Sequence, residues 1–167
     1  LGMRVAGHVP AFYRADQMIE AGYDELTHIN QIMLGWVLGP EEDTRTLFRI
    51  TGMKRFVDLD LNSDKVQHTL KLMADNDIAH DPTAVIHEYA MTGRNGITNF
   101  AVRDYIDHMP ISVQRAAKSA MLNVADETED EAYLAAYQKI LDTLALMHER
   151  GILLVPGTDM GGAFYLH

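Results

Sequence analysis

Residues 3–30, MRVAGHVPAFYRADQMIEAGYDELTHIN, decide the fold. Met3-Arg4-Val5-Ala6-Gly7 is a short apolar run that ends at His8, because Pro10 just beyond it cannot donate to a sheet ladder. From Ala11 to Ala21 the positions Phe12, Ala15, Met18 and Ile19 recur at helical spacing, and Gly22 is placed to cap that helix. Glu25-Leu26-Thr27-His28-Ile29 then reads as a second strand. A strand, helix and strand of this length form a right-handed parallel crossover. His8 and His28 are thereby brought side by side at the carboxyl ends of strands about 4.8 Å apart. Two imidazoles so placed can share one metal ion at about 2.1 Å each. A single histidine near a strand end is usually a hydrogen-bonded rim or core residue, so it is the pairing that points to chemistry.

Two further strands follow the same logic. Ile78-Ala79-His80-Asp81-Pro82-Thr83-Ala84-Val85 is one, and Gly151 to Asp159, GILLVPGTD, is a buried strand that ends in an acid. The expected architecture is α/β, a single domain over residues 1–167. Four consecutive parallel strands lie at about 2–8, 24–29, 78–85 and 151–156, with helices outside and long insertions after the second and third.

Taken together, GHVP, the THIN stretch and PGTD resemble the amidohydrolase superfamily, in particular its imidazolonepropionase-like and Xaa-Pro dipeptidase-like branch. The resemblance implies a partial (β/α)8 TIM-type barrel, strands five to eight, with outer helices and helical insertions. It implies metal ligands at His8, His28 and Asp159, with Asp159 also catalytic as the group that handles the proton of the attacking water. The implied cofactor is a divalent metal, zinc by preference. The implied reaction is hydrolysis of an amide, cyclic amide or dipeptide C–N bond by metal-activated water. The family's first-strand His-x-His pair and fourth-strand lysine have no counterpart here. With 167 residues, a start at Leu1 and no helix after the last strand, the chain reads as a fragment, the second half of such a barrel. The alternative is a non-catalytic half-barrel, a binding or structural module whose surviving ligands no longer complete a site.

Composition bounds the partners. A formal charge of −10 disfavours nucleic acid and anionic membranes, which demand a basic face. No apolar run reaches the length of a membrane span. With no cysteine, a metal must be held by histidine and carboxylate. A small-molecule or dipeptide substrate remains, and localisation stays open. The apolar strand edges at Val5-Ala6 and Ile152–Val155 predict a homo-oligomer, or pairing with the missing N-terminal half of the barrel.

Elsewhere, Gln31–Leu38 reads as a short core helix or a pocket lining, and Pro40-Glu41-Glu42-Asp43 as a helix start. Ser63 caps a helix with Val66, Leu70 and Met73 on one face, and His68 on its polar side. His80, before a proline, faces the barrel in a structural or substrate-binding role. His87 and Tyr89, on the loop side, are candidate substrate contacts. Residues 92–119 form an insertion able to cover a site, in which Arg94, Arg103 and Arg115 are cations suited to a substrate carboxylate, and Arg94 is the substrate-binding candidate. Asp126 to Arg150 is the clearest helix, striped by Tyr133, Tyr137, Ile140, Leu141, Leu144 and Met147.

Overall fold

A computed structural model describes residues 2–99 and 102–159. Three strands, β1 (Ala6–Gly7), β2 (Glu25–Thr27) and β3 (Ala79–Asp81), form one parallel sheet in the order of the sequence. Ala6 lies opposite Glu25, and Leu26 opposite His80. A fourth extended stretch joins β3 through a single parallel bridge, His80 to Leu154. There the His80 N–H donates to Leu153 O at 2.8 Å, and the Val155 N–H to His80 O at 2.9 Å. The protein is therefore mixed α/β, and its four extended segments follow one another in sequence order. They are shorter than the sequence suggested. β3 stops at Asp81 rather than Val85, because Pro82 supplies no donor and Thr83 turns left-handed, at φ 44°, into a helix.

The crossover from β1 to β2 contains α1 (Ala15–Glu20), half as long as its apolar spacing implied. Residues 11–14 turn first, with the Tyr13 N–H donating to Pro10 O at 3.1 Å, which leaves Phe12 exposed at φ 69°. Gly22, at φ 94°, ends α1 in the left-handed conformation that favours glycine. After β2, α2 (Ile29–Val37) buries nearly every side chain from Ile29 to Trp36. The expected helix at Pro40 is absent; turns occupy 40–46, and Glu42 and Asp43 are held by Arg55 and Arg45 rather than by a helix N-terminus. The short α3 (Phe48–Thr51) runs into a 3-10 stretch, Gly52–Asp58.

α4 (Asp64–Asp75) begins after Ser63 and buries Val66, Thr69, Leu70 and Met73 on one face, as its pattern requires, with His68 outside. Thr69 connects three helices: its Oγ1 accepts from Trp36 Nε1 of α2 at 3.0 Å and donates to Asp16 Oδ1 of α1 at 2.6 Å. α5 (Ala84–Thr92) and α6 (Ile111–Ala116) belong to the long insertion, of which residues 100 and 101 lie outside the described ones. α7 (Glu127–Glu149) is capped by Asp126, whose Oδ1 accepts the Glu129 N–H at 2.9 Å. Its buried stripe is Tyr133, Ala136, Ile140, Thr143 and Met147, packed on Gly52–Asp58 and α5, while Leu141 faces solvent. No helix among the described residues is long and apolar enough to cross a membrane.

Candidate functional site

The carboxyl ends of β1 and β2 place two imidazoles in contact. His8 Nε2 and His28 Nε2 are 2.8 Å apart, with ring centroids 4.6 Å apart. Local structure explains the convergence. The Val9 N–H donates to the buried Gln31 Oε1 at 2.8 Å, which fixes the chain just after His8 against α2. The His28 N–H continues the β2–β3 ladder by donating to Asp81 O at 2.7 Å. His28 is buried whereas His8 is exposed, so the pair bridges core and solvent. At the end of the fourth extended segment, Asp159 brings Oδ2 to 3.9 Å from His28 Nε2 with its side chain half exposed.

A second layer orients the first. His28 Nδ1 is 2.7 Å from Thr83 Oγ1, both buried, which leaves Nε2 directed at His8. The Thr83 N–H in turn donates to Asp81 Oδ1 at 3.0 Å. Asp81 is pressed against the final segment: a Cβ added to Gly157 would lie 2.6 Å from the Asp81 carboxyl carbon, so a larger residue there would have to displace the Asp81 carboxylate. Among the described residues five non-glycine residues have positive φ, and three of them are His28, Thr83 and Asp159. Such conformations cost on the order of 1–3 kcal/mol each and concentrate where function requires geometry the backbone does not prefer.

Around His28 four buried polar atoms have no hydrogen-bond partner among the described residues: Thr27 Oγ1, Asn30 Oδ1, His80 Nε2 and His87 Nε2. His80 Nδ1 is 2.8 Å from Leu26 O, so it carries the proton, and Nε2 presents a bare lone pair. Burial depresses the pKa of His28, with His8 adding to the effect, while Asp159 and Asp81 oppose it. Burial also drives His80 down to about 4 and His87 to about 3. All three are thus neutral at pH 7, the form in which imidazole binds metal.

The fit to a metal ion can be judged from these separations. Nitrogen and oxygen ligands at about 2.1 Å in tetrahedral arrangement lie about 3.4 Å apart. The His8–His28 separation of 2.8 Å must open by about half an ångström, and the 3.9 Å to Asp159 must close by as much. The described residues hold no ready-made cluster of three ligating side chains. Two imidazoles, one of them backed by the Thr83 hydroxyl, fit zinc in ligand type.

Beside His8 opens a cavity of about 560 Å³, lined among others by Phe12, Tyr13, Leu34, Leu38, Arg45 and Arg49. α2 thus serves both as core helix and as cavity wall. The remaining sequence candidates lie elsewhere or act otherwise. His80 and His87 are interior, the latter on the face of α5 that also buries Met91. The Tyr89 hydroxyl donates to Ser119 O at 3.2 Å and ties α5 to the insertion. Arg94 is engaged by Asp130 and by the carbonyls of Met91 and Gly93. Thr83 and Arg49 were missed by sequence reasoning, and Thr83 carried a signal, its position after Asp-Pro at a strand end.

Thr83→Val keeps shape and branching but removes the hydroxyl that orients His28. It is expected to weaken zinc binding about tenfold with little change in helix content, measured by competition with a chromophoric chelator. No protein-family model, curated protein or solved structure matches the chain.

Proposed function

We propose that this chain supplies strands five to eight of an amidohydrolase-type (β/α)8 barrel, in which His8 and His28 hold a divalent metal, zinc by ligand type, and Asp159 is the proton-handling carboxylate. The reaction is hydrolysis of the C–N bond of an amide, cyclic amide or dipeptide. The observation that carries this reading is the 2.8 Å approach of two imidazoles at adjacent parallel strand ends, with Asp159 alongside. A bound zinc ion supplies polarisation of the scissile carbonyl and lowers the pKa of water to about 7. The protein's own residues do the rest. Thr83 holds the His28 ring by Nδ1 so that Nε2 faces His8, which lies on the solvent side. Asp159 accepts the proton of the water that attacks the carbonyl carbon and returns it to the nitrogen as the C–N bond breaks.

In this reading the further metal ligands come from the first half of the barrel. The same half, or a second copy of this chain, covers Met3 and Val5 at one sheet edge and Leu153 and Val155 at the other, all exposed. A non-catalytic half-barrel is favoured only by the lack of a preset three-ligand cluster among the described residues. A panel of dipeptides and lactams separates the two. Combined with a first half and zinc, the chain is expected to give turnover that both chelator and His28→Ala abolish, and the 167-residue chain alone to give none. Turnover indifferent to chelator and to His28→Ala contradicts the proposal.

A further inference from the structure

The chain carries 24 acidic and 14 basic side chains, yet the cavity beside His8 is lined by three arginines, Arg14, Arg45 and Arg49, and a single acid, Glu42. That acid is already committed, since Glu42 Oε1 and Oε2 each accept from Arg55 at 2.8 Å. In an acidic protein a cavity of this sign attracts anions. The arginines differ in availability. Arg45 is held by both oxygens of Asp43 and lies over the Phe12 ring, 5.2 Å from its centroid. Arg49, on α3, is half-buried, and its guanidinium has no hydrogen-bonded or ion-pair partner among the described residues. Its guanidinium is partly stripped of water, and its charge is felt by both Asp159 and His28.

A half-desolvated guanidinium with no carboxylate in hydrogen-bonding reach among the described residues is costly to maintain, and a ligand's carboxylate would offset that cost. Its planar fork matches a carboxylate bidentately, and the apolar Leu34, Leu38 and Phe12 around it leave room for an aliphatic or aromatic body. A cavity of about 560 Å³ is the size of a small-molecule site. We propose that Arg49 is the specificity residue of this cavity, and that it binds the carboxylate of an N-acyl amino acid or dipeptide whose amide bond faces His8 and His28. The word substrate rests on the hydrolase reading above; the carboxylate site does not. Arg49, rather than Arg94, Arg103 or Arg115, is the cation that selects the acid.

The test is a metal-free binding measurement, so that it stands or falls apart from hydrolysis. N-acetyl-leucine and its carboxamide, N-acetyl-leucinamide, are titrated into the full 167-residue chain at constant ionic strength, with NMR shifts of the cavity residues and of the Arg49 Nε–H as readout. The acid is expected to bind at least about tenfold tighter than the amide. Arg49→Gln brings the ratio to within about twofold of one, and Arg49→Lys, which keeps the charge but loses the fork, recovers only part of it. Arg115→Gln, exposed on α6, leaves the ratio unchanged. Equal affinity for acid and amide in the unaltered chain, or a ratio that survives Arg49→Gln, overturns the proposal. Acid selectivity in a protein that binds no zinc would leave the Arg49 site standing while the hydrolase reading fell.

Discussion

Acidification from pH 7 to pH 5 is expected to remove about 4 kcal/mol of stability, about 2 kcal/mol from each of two buried histidines. His80 and His87 are among the most deeply buried polar side chains of the protein, and burial holds them neutral down to about 4 and about 3. In the unfolded chain both take up a proton near pH 6.5. Above that pH neither state binds the extra protons and the full stability is present. Below it the unfolded state binds them first, so stability falls as pH falls, down to the folded values. His28, shifted in the same direction by burial, adds to the slope. Urea titrations at pH 7, 6 and 5 measure this. His87→Gln should about halve the loss, whereas a stability flat between pH 7 and 5 would show that these rings are protonated or exposed in the folded protein.

Gly157→Ala is expected to damage both the stability of the protein and the site around His28. The new Cβ would lie 2.6 Å from Asp81 Cγ and equally close to Oδ1, well inside contact distance. Asp81 cannot swing away freely, because its Oδ1 receives the Thr83 N–H and Thr83 holds His28. Either Asp81 shifts and His28 loses its orientation, or the segment carrying Asp159 lifts from β3. The expected outcome is a loss of about 1–3 kcal/mol in stability and at least about tenfold in zinc affinity. Gly39→Ala provides the comparison, since its Cβ would meet only Glu42 Oε2 at an ordinary 3.8 Å. Calorimetric unfolding and chelator competition on both variants give the answer, and a Gly157→Ala protein indistinguishable from Gly39→Ala would remove Asp81 and Gly157 from the account.

What could be read in the sequence was whatever depends on short-range periodicity and chain reversal. The β1–α1–β2 crossover, the sequential strand order and the α4 and α7 faces belong to this class, and so does the meeting of His8 with His28. Long-range partners were not legible. His87 looked like a loop-side contact because it follows a strand, but it shares a helical face with Met91, and packing turned it inward. Arg94 had the right chemistry for a carboxylate and lost it to Asp130, a partner 36 positions away. Arg49 had no signal, since Pro40-Glu41-Glu42-Asp43 suggested a helix that side-chain pairing with Arg45 and Arg55 replaced with turns. The half-barrel and its chemistry rest on the resemblance of GHVP, THIN and PGTD together with the site geometry.

Whether His8, His28 and Asp159 act together on one metal ion, as proposed, is decided by calorimetric titration of zinc into the chain at pH 7. One ion per chain is expected, with binding weakened at least about a hundredfold by His28→Ala and His8→Ala and about tenfold by Asp159→Asn. Zinc binding that is absent from the unaltered chain, or that His28→Ala leaves intact, would contradict the account.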